Sequence, residues 1–258
     1  MTDKPTTNNK FFRYLGLVAV AILGIASVIG SGGGGSSSST ISGIVVTDVS
    51  RYAFVVNSTD DSVSSYVVDT ASGRLTYIGT AATGVNPVSV AVDPEGKYAY
   101  VANQDGNTVS QYEILDDGTL TPLATATAAT GDQPRSVAVD PSGRYVYVAN
   151  FGSNSISQYK IDKTVPAGAL IDRADIPSSG TGPGAVTVDP SGKYVYVANA
   201  TSNNVSQYTI RSDGILTPMA TATEPGVVPA VTSRPARSGL GERLPSSPMV
   251  YCETVPAV

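Results

Sequence analysis

The chain has 258 residues, of which 41% are hydrophobic and only 14% charged, with no histidine, no tryptophan and one cysteine, Cys252. Its net charge is −5 without any basic stripe interleaved with aromatics, which excludes nucleic acid as a partner because phosphate neutralisation needs clustered Lys and Arg. One cysteine excludes an intrachain disulfide, and the lack of histidine removes the usual neutral-pH general base and a common metal ligand.

Residues 1–30 read as a signal peptide or N-terminal membrane anchor. Lys4, Lys10 and Arg13 precede the apolar run Tyr14–Ile29, a basic region followed by an apolar one. The run is short of the roughly 20 apolar residues that span a membrane comfortably. Small residues permit cleavage after Ala26 or Gly30, and Ser31 stands where a lipoprotein signal would carry its lipid-bearing cysteine, so no lipid anchor is expected. The expectation is export to the periplasm, cell surface or medium, with an uncleaved segment as a membrane tether. Residues 31–43, rich in Gly and Ser, form a flexible linker.

From residue 44 to 226 the chain repeats itself, in four units at about 44–84, 85–130, 131–180 and 181–226. Pro87–Asn103 recurs as Pro134–Asn150 and Pro183–Asn199, and Tyr52–Asn57 is a divergent earlier copy. Pro87–Ile114 and Pro134–Ile161 are identical at 18 of 28 positions, which implies internal duplication. Each copy parses into four short strands. In the second, Ser89–Val92 is followed by the turn Asp93-Pro94-Glu95-Gly96, in which Asp bonds the backbone, Pro presets φ and Gly closes the turn. Lys97–Asn103 is apolar on both faces and predicts a central strand packed between neighbouring sheets. Thr108–Ile114 alternates, Asp116-Asp117-Gly118 is a hairpin turn, and Leu120 to about Thr127 is an edge-like strand. Four antiparallel strands every 45–50 residues predict an all-β fold of β-propeller blades, four in number, in an incomplete or open propeller. A β-solenoid fits less well, since its coils are much shorter.

Tyr100-Val-Ala-Asn103, Tyr147-Val-Ala-Asn150 and Tyr196-Val-Ala-Asn199, each behind Asp-Pro-x-Gly and ahead of Ser-Gln-Tyr, resemble YVTN repeats and the related lactonase-like propellers of the 6-phosphogluconolactonase type. The resemblance covers about residues 44–226. It implies a propeller fold and, as one functional reading, hydrolysis of a sugar lactone. The matching residues are scaffold, and no histidine is available as a base. The leading expectation is therefore a non-catalytic binding or surface scaffold module, with the lactonase as its alternative. No catalytic residue, metal or cofactor is assigned. The expected ligand is a small molecule, glycan or protein, and self-association through open blade edges is expected.

Asp93, Asp140 and Asp189 are read as turn caps. Asn57, Asn103, Asn150 and Asn199 are read as turn formers tolerant of positive φ, with calcium binding discounted because Asn150-Phe-Gly-Ser-Asn154 has no carboxylate. The tyrosine pairs from Tyr98/Tyr100 onward are read as interface packing. Propeller ligands meet the loops joining strand four to strand one and strand two to strand three. Those loops, with the start of the following strand, offer Asn86, Asp132, Gln133 and Arg135 in the first set and Asp60, Asp105 and Phe151 in the second. Arg135 breaks the repeat, since Val88 and Gly184 occupy its position in the neighbouring copies. Residues 227–258 lose the repeat's signatures and are read as an irregular tail, leaving the Val195/Val197 face of the fourth unit partly exposed.

Overall fold

Four antiparallel sheets follow one another in chain order in the computed structural model, which describes residues 20–23, 51–69, 71–164, 167–219 and 222–223. No helix occurs among the described residues. The first sheet contains β1 (Val20–Leu23), β2 (Arg51–Asn57), β3 (Ser62–Val68) and β4 (Leu75–Ala82). The second contains β5 (Pro87–Val92), β6 (Tyr98–Asn103), β7 (Thr108–Ile114) and β8 (Leu120–Ala129). β9 (Pro134–Val139), β10 (Tyr145–Asn150), β11 (Ser155–Ile161), β12 (Leu170–Asp172) and β13 (Ile176–Pro177) make the third. β14 (Pro183–Val188), β15 (Tyr194–Asn199), β16 (Asn204–Ile210), β17 (Leu216–Pro218) and β18 (Ala222–Thr223) make the fourth. The inner strands β1, β5, β9 and β14 are neighbours from sheet to sheet, so the sheets are blades set side by side around one axis.

The central strands behave as their composition demands. All six residues of β10 are buried, because the strand lies between two neighbouring blades and both its faces are apolar. Three clusters fill the gaps between blades: Tyr52, Phe54, Val56, Tyr112 and Ile114 with their neighbours between the first and second, Tyr100, Val109, Val146 and Tyr159 between the second and third, and Tyr147, Ile156, Val195 and Tyr208 between the third and fourth. Each such side chain stabilises by about 1.5–3 kcal/mol when fully buried, so the blades hold one another up.

Two expectations need correction. Val195 and Val197 are fully buried. They point back at the third blade, against Tyr145 and Tyr147, and it is Tyr194 and Tyr196 that lie on the other face. Alternation shows that a strand has two faces but not which of them looks forward. Asn57, Asn103, Asn150 and Asn199 are likewise not turn formers. The positive-φ residues are Asp61, Asn107, Asn154 and Asn203, at the far end of each loop. The strand-ending asparagines instead reach across the hairpin, as in Asn103 Nδ2 donating to Thr108 Oγ1 at 3.0 Å and Ser110 Oγ at 2.9 Å, and Asn150 Nδ2 to Ser155 Oγ at 3.0 Å and Ser157 Oγ at 2.8 Å.

Within the segment read as an export signal, Val20–Leu23 pairs with β2, from Val20↔Val55 to Leu23↔Tyr52, in the place that β5, β9 and β14 hold in the other blades. The rest of residues 1–30, the linker 31–43 and the tail 227–258 lie outside the described residues.

The Asp-Pro-x-Gly turns are scaffold. Asp140 is buried and its Oδ1 accepts the backbone N–H of Arg144 and of Tyr145, each at 2.7 Å, with Asp93 and Asp189 repeating the arrangement. Asp140→Ala strands these two donors, and calorimetry is expected to show a loss on the order of 1–3 kcal/mol. Burial pushes the Asp189 carboxyl up, but hydrogen bonds from the Ser191 hydroxyl and the N–H groups of Tyr194, Ser191 and Lys193 outweigh it and hold the group below its ordinary value of 3.8. A carboxyl depressed by folding stabilises above its unfolded value, and that contribution is lost as pH falls through the folded value. The stability gap between the natural chain and Asp189→Asn, followed by denaturant titration, is therefore expected to be wide at neutral pH and to narrow below pH 3.8.

Candidate functional site

The loops joining strand four to strand one and those joining strand two to strand three gather at one end of the blades, because strands one and three run towards that end's opposite. The chain locks these loops together with one repeated bond. The positive-φ residue that closes each second-to-third loop accepts a hydrogen bond from the first residue of the next blade. Asn86 N donates to Asp61 Oδ1 at 2.7 Å, Gln133 N to Asn107 Oδ1 at 2.8 Å, and Gly182 N to Asn154 Oδ1 at 2.7 Å. Asp and Asn suit the site because they tolerate φ near +50° and carry a short acceptor. A second repeated contact fixes the incoming loop. Gly84 presses on Asn103, and a Cβ there would stand 2.7 Å from Asn103 Nδ2. Gly84 N donates to Asn103 Oδ1 at 3.2 Å and Ser110 Oγ at 3.1 Å. Asn103 thus uses both its side-chain oxygen and its nitrogen in this network, whereas the corresponding Asn150 Oδ1 is buried without a hydrogen-bond partner.

The residues expected to bind ligand divide into two groups on this rigid frame. In the second blade, Asn86 Nδ2 donates to Asp105 Oδ2 at 3.1 Å on the exposed surface. Asp60 lies in the corresponding loop of the first blade, where its N–H closes the turn on Asn57 O at 3.2 Å. In the third blade, Gln133 and Asp132 are exposed and hold the facing loop through backbone carbonyls, with Phe151 N on Gln133 O and Gly152 N on Asp132 O, both at 2.9 Å. On the same blade Arg135 sits over Phe151, its guanidinium carbon 3.4 Å from the ring centroid.

The Arg135–Phe151 pair is where the repeat fails twice in one place. The positions of Arg135 hold Val88 and Gly184 in the neighbouring blades, and those of Phe151 hold Gln104 and Ala200. Arg135 is half-buried, burial lowers the affinity of its guanidinium for its proton, and its Nε is buried without a hydrogen-bond partner. Among the described residues no carboxylate lies within ion-pair distance of it. A desolvated cation stabilised by an aromatic face and lacking a counter-charge is an anion-seeking group. The residue-level reading singled out Arg135 and Phe151 separately but had no signal that they touch. The Glu113–Asp117 hairpin lines a separate concavity of about 470 Å³ at the opposite end of the second blade.

Comparison with known proteins places the blades in a family. The family described as "Lactonase, 7-bladed beta-propeller" matches residues 23–133 and 116–231. A 6-phosphogluconolactonase of Pectobacterium carotovorum is 32% identical over 80 residues, 28% of this chain and 24% of that protein. Among solved structures, a candidate 6-phosphogluconolactonase of Bacteroides uniformis superposes with a TM-score of 0.60 at 21% identity over 67% of this chain and 51% of that one. The periplasmic gluconolactonase of Pseudomonas aeruginosa gives 0.57 at 20% identity, covering 66% and 50%. The chain thus spans about half the length of these solved relatives.

The loop lock is testable. Asn107→Gly keeps a backbone that accepts positive φ but removes the oxygen that Gln133 N bonds. It is expected to cost about 1 kcal/mol in chemical denaturation, and hydrogen exchange at Gln133 is expected to rise while that at the turn of Asp93 stays put.

Proposed function

Because the chain belongs to the lactonase seven-bladed β-propeller family, we propose that it hydrolyses a sugar lactone at the loop end of its blades, with Arg135 as the group that meets the substrate's negative charge. The expectation of a non-catalytic binding or surface scaffold module is withdrawn: the named relatives are 6-phosphogluconolactonases and a gluconolactonase. That expectation rested on the missing histidine, but a carboxylate can activate water and a guanidinium can stabilise an oxyanion.

The observation that carries the reading is the half-buried Arg135 over Phe151, without a counter-ion among the described residues, at a point where two residues in contact both depart from the repeat. In lactone hydrolysis water adds to the carbonyl carbon, the carbonyl oxygen becomes an oxyanion, and the ring C–O bond breaks. The ring oxygen leaves as a hydroxyl after taking a proton, and the product is a hydroxy acid. Arg135 is suited to the oxyanion or to an acidic substituent of the sugar. Its buried setting strengthens either interaction, since the low dielectric screens it less. Asp132, exposed on the same blade, is the carboxylate proposed to draw the proton from water. Asn86, Asp105 and Gln133 supply hydrogen bonds for sugar hydroxyls.

Export belongs to the same proposal. Lys4, Lys10 and Arg13 ahead of the apolar run support it, and one structural neighbour is a periplasmic enzyme. Among the described residues no helix is long and apolar enough to cross a membrane.

The test is hydrolysis of glucono- and 6-phosphoglucono-lactone by the purified chain, corrected for spontaneous opening. Arg135→Met, which keeps the length and apolar stem, is expected to lower kcat/KM at least tenfold with an unchanged melting temperature. An unaltered rate, or no hydrolysis above background by the natural chain, refutes the reading.

A further inference from the structure

The interfaces between blades are built from one repeated plug and socket, and among the described residues the first and fourth blades each present an unused half of it. The plug is the forward face of a blade. Tyr52, Tyr98 and Tyr145 lay their rings on Gly118, Gly168 and Gly214 of the next blade, so closely that a Cβ on any of these glycines would collide with the ring. Tyr100 and Tyr147 donate their hydroxyls to Gly168 O at 2.7 Å and Gly214 O at 2.8 Å. Gln111 and Gln158, both buried, accept at Oε1 the backbone N–H of Leu170 at 2.6 Å and of Leu216 at 2.7 Å. The socket is thus a positive-φ glycine with a leucine two residues on: Gly118/Leu120, Gly168/Leu170, Gly214/Leu216.

The first blade has the same socket in Gly73 and Leu75, with Gly73 at φ +70°. Nothing among the described residues stands within 4 Å of where a Gly73 Cβ would lie. Leu75 is 51% exposed, where Leu120 and Leu216 are 6% and 3% exposed. On the same blade Tyr66 holds the position of Tyr112 and Tyr159, whose hydroxyls bond the carbonyls of Ala82 and Ala129 in the preceding blade; it meets Tyr77 instead, edge to face at 5.8 Å. The fourth blade offers the matching plug. Tyr194, Tyr196 and Gln207 stand where Tyr145, Tyr147 and Gln158 stand, half-buried and without a blade in front of them among the described residues.

We infer that these two ends join in a second copy of this chain. The fourth blade of one copy seats on the first blade of the other, with Tyr194 over Gly73, the Tyr196 hydroxyl on the Gly73 carbonyl, and Gln207 Oε1 receiving the Leu75 N–H. The contact continues an interface whose ring-on-glycine packing the chain makes three times and whose tyrosine and glutamine hydrogen bonds it makes twice, since Phe54 and Ser65 stand in those places in the first blade. It is head-to-tail, and such contacts either close into a ring or run on as a filament. Made twice about a two-fold axis along the channel, it joins two sets of the four described blades into a ring of eight, one more than the family's seven and within the usual range of four to eight. Both loop ends, each with its Arg135, then face one channel. The inference concerns assembly and stands whether or not the chain hydrolyses lactones.

Sedimentation velocity on the full chain, across a hundredfold range of concentration, tests it. The natural chain is expected at twice 26.4 kDa. Leu75→Asp alters a side chain that is exposed in a single copy, and is expected to sediment at 26.4 kDa with an unchanged circular dichroism spectrum. Tyr194→Ser is expected to do the same. Leu115→Asp, on an exposed leucine away from both ends, is expected to keep the doubled mass. A single-chain mass for the natural protein throughout, or a doubled mass that survives both Leu75→Asp and Tyr194→Ser, overturns the inference. A concentration-dependent ladder of larger species overturns the closed pair.

Discussion

Everything in this molecule depends on the dry contact between one blade and the next. A sheet with two apolar faces has no stable existence alone, and the chain meets that constraint by repetition, so that each blade is at once cover and core. Hydrophobic packing by itself would let blades slide, since apolar surfaces of similar texture fit in several registers. The buried polar groups prevent this. Gln111 and Gln158 each lend an oxygen to a leucine N–H of the following blade, and Tyr100 and Tyr147 each find a carbonyl there. Desolvation raises the pKa of both tyrosines far above neutrality, so their hydroxyls remain donors. A slip of one residue would leave four such groups buried and unpaired, which costs more than the apolar area could regain.

The loop end inherits its rigidity from the same interfaces. The Asp61, Asn107 and Asn154 side chains tie each blade's loop to the backbone that begins the next, so the loops are held by bonds that do not use the side chains of the neighbouring positions. Those neighbouring positions are free to vary, and they do: glutamine, phenylalanine and alanine follow the strand-ending asparagine in successive blades. A frame carried by backbone and short polar side chains can therefore present different chemistry in each blade without loss of geometry.

How much of this could be read from residues alone follows from which contacts are local. The turn of Asp140 was legible because its partners, the N–H groups of Arg144 and Tyr145, lie four and five residues on. The repeat length and the central strands were legible for the same reason, since periodicity is a property of the chain. Asn103 was misread because its partners belong partly to another segment: Gly84, which packs on its side chain, is nineteen residues away. The face of Val195 was misread because alternation carries no direction; only the order in which blades pack makes Val195 look back and Tyr194 look forward. The Gln of the Ser-Gln-Tyr motif was visible as a pattern, yet its role depends on Leu170, fifty-nine residues beyond Gln111.

Repetition also decides where chemistry can sit. A side chain repeated from blade to blade is mostly engaged in holding the fold, as the turn aspartates and the tyrosines between described blades are. Partners fixed in that way leave it little to offer a substrate. A site must therefore be sought where the repeat is broken and where the break costs something. Arg135 meets both conditions. Its position can be filled by Val88 or Gly184 without a buried charge, and the guanidinium is desolvated there with only an aromatic face to offset the cost. Phe151, which supplies that face, also replaces smaller or polar residues of the neighbouring blades. Two coupled departures, one of them a cation partly removed from water, are the ground on which Arg135 rather than a repeated side chain is proposed to meet a negatively charged group.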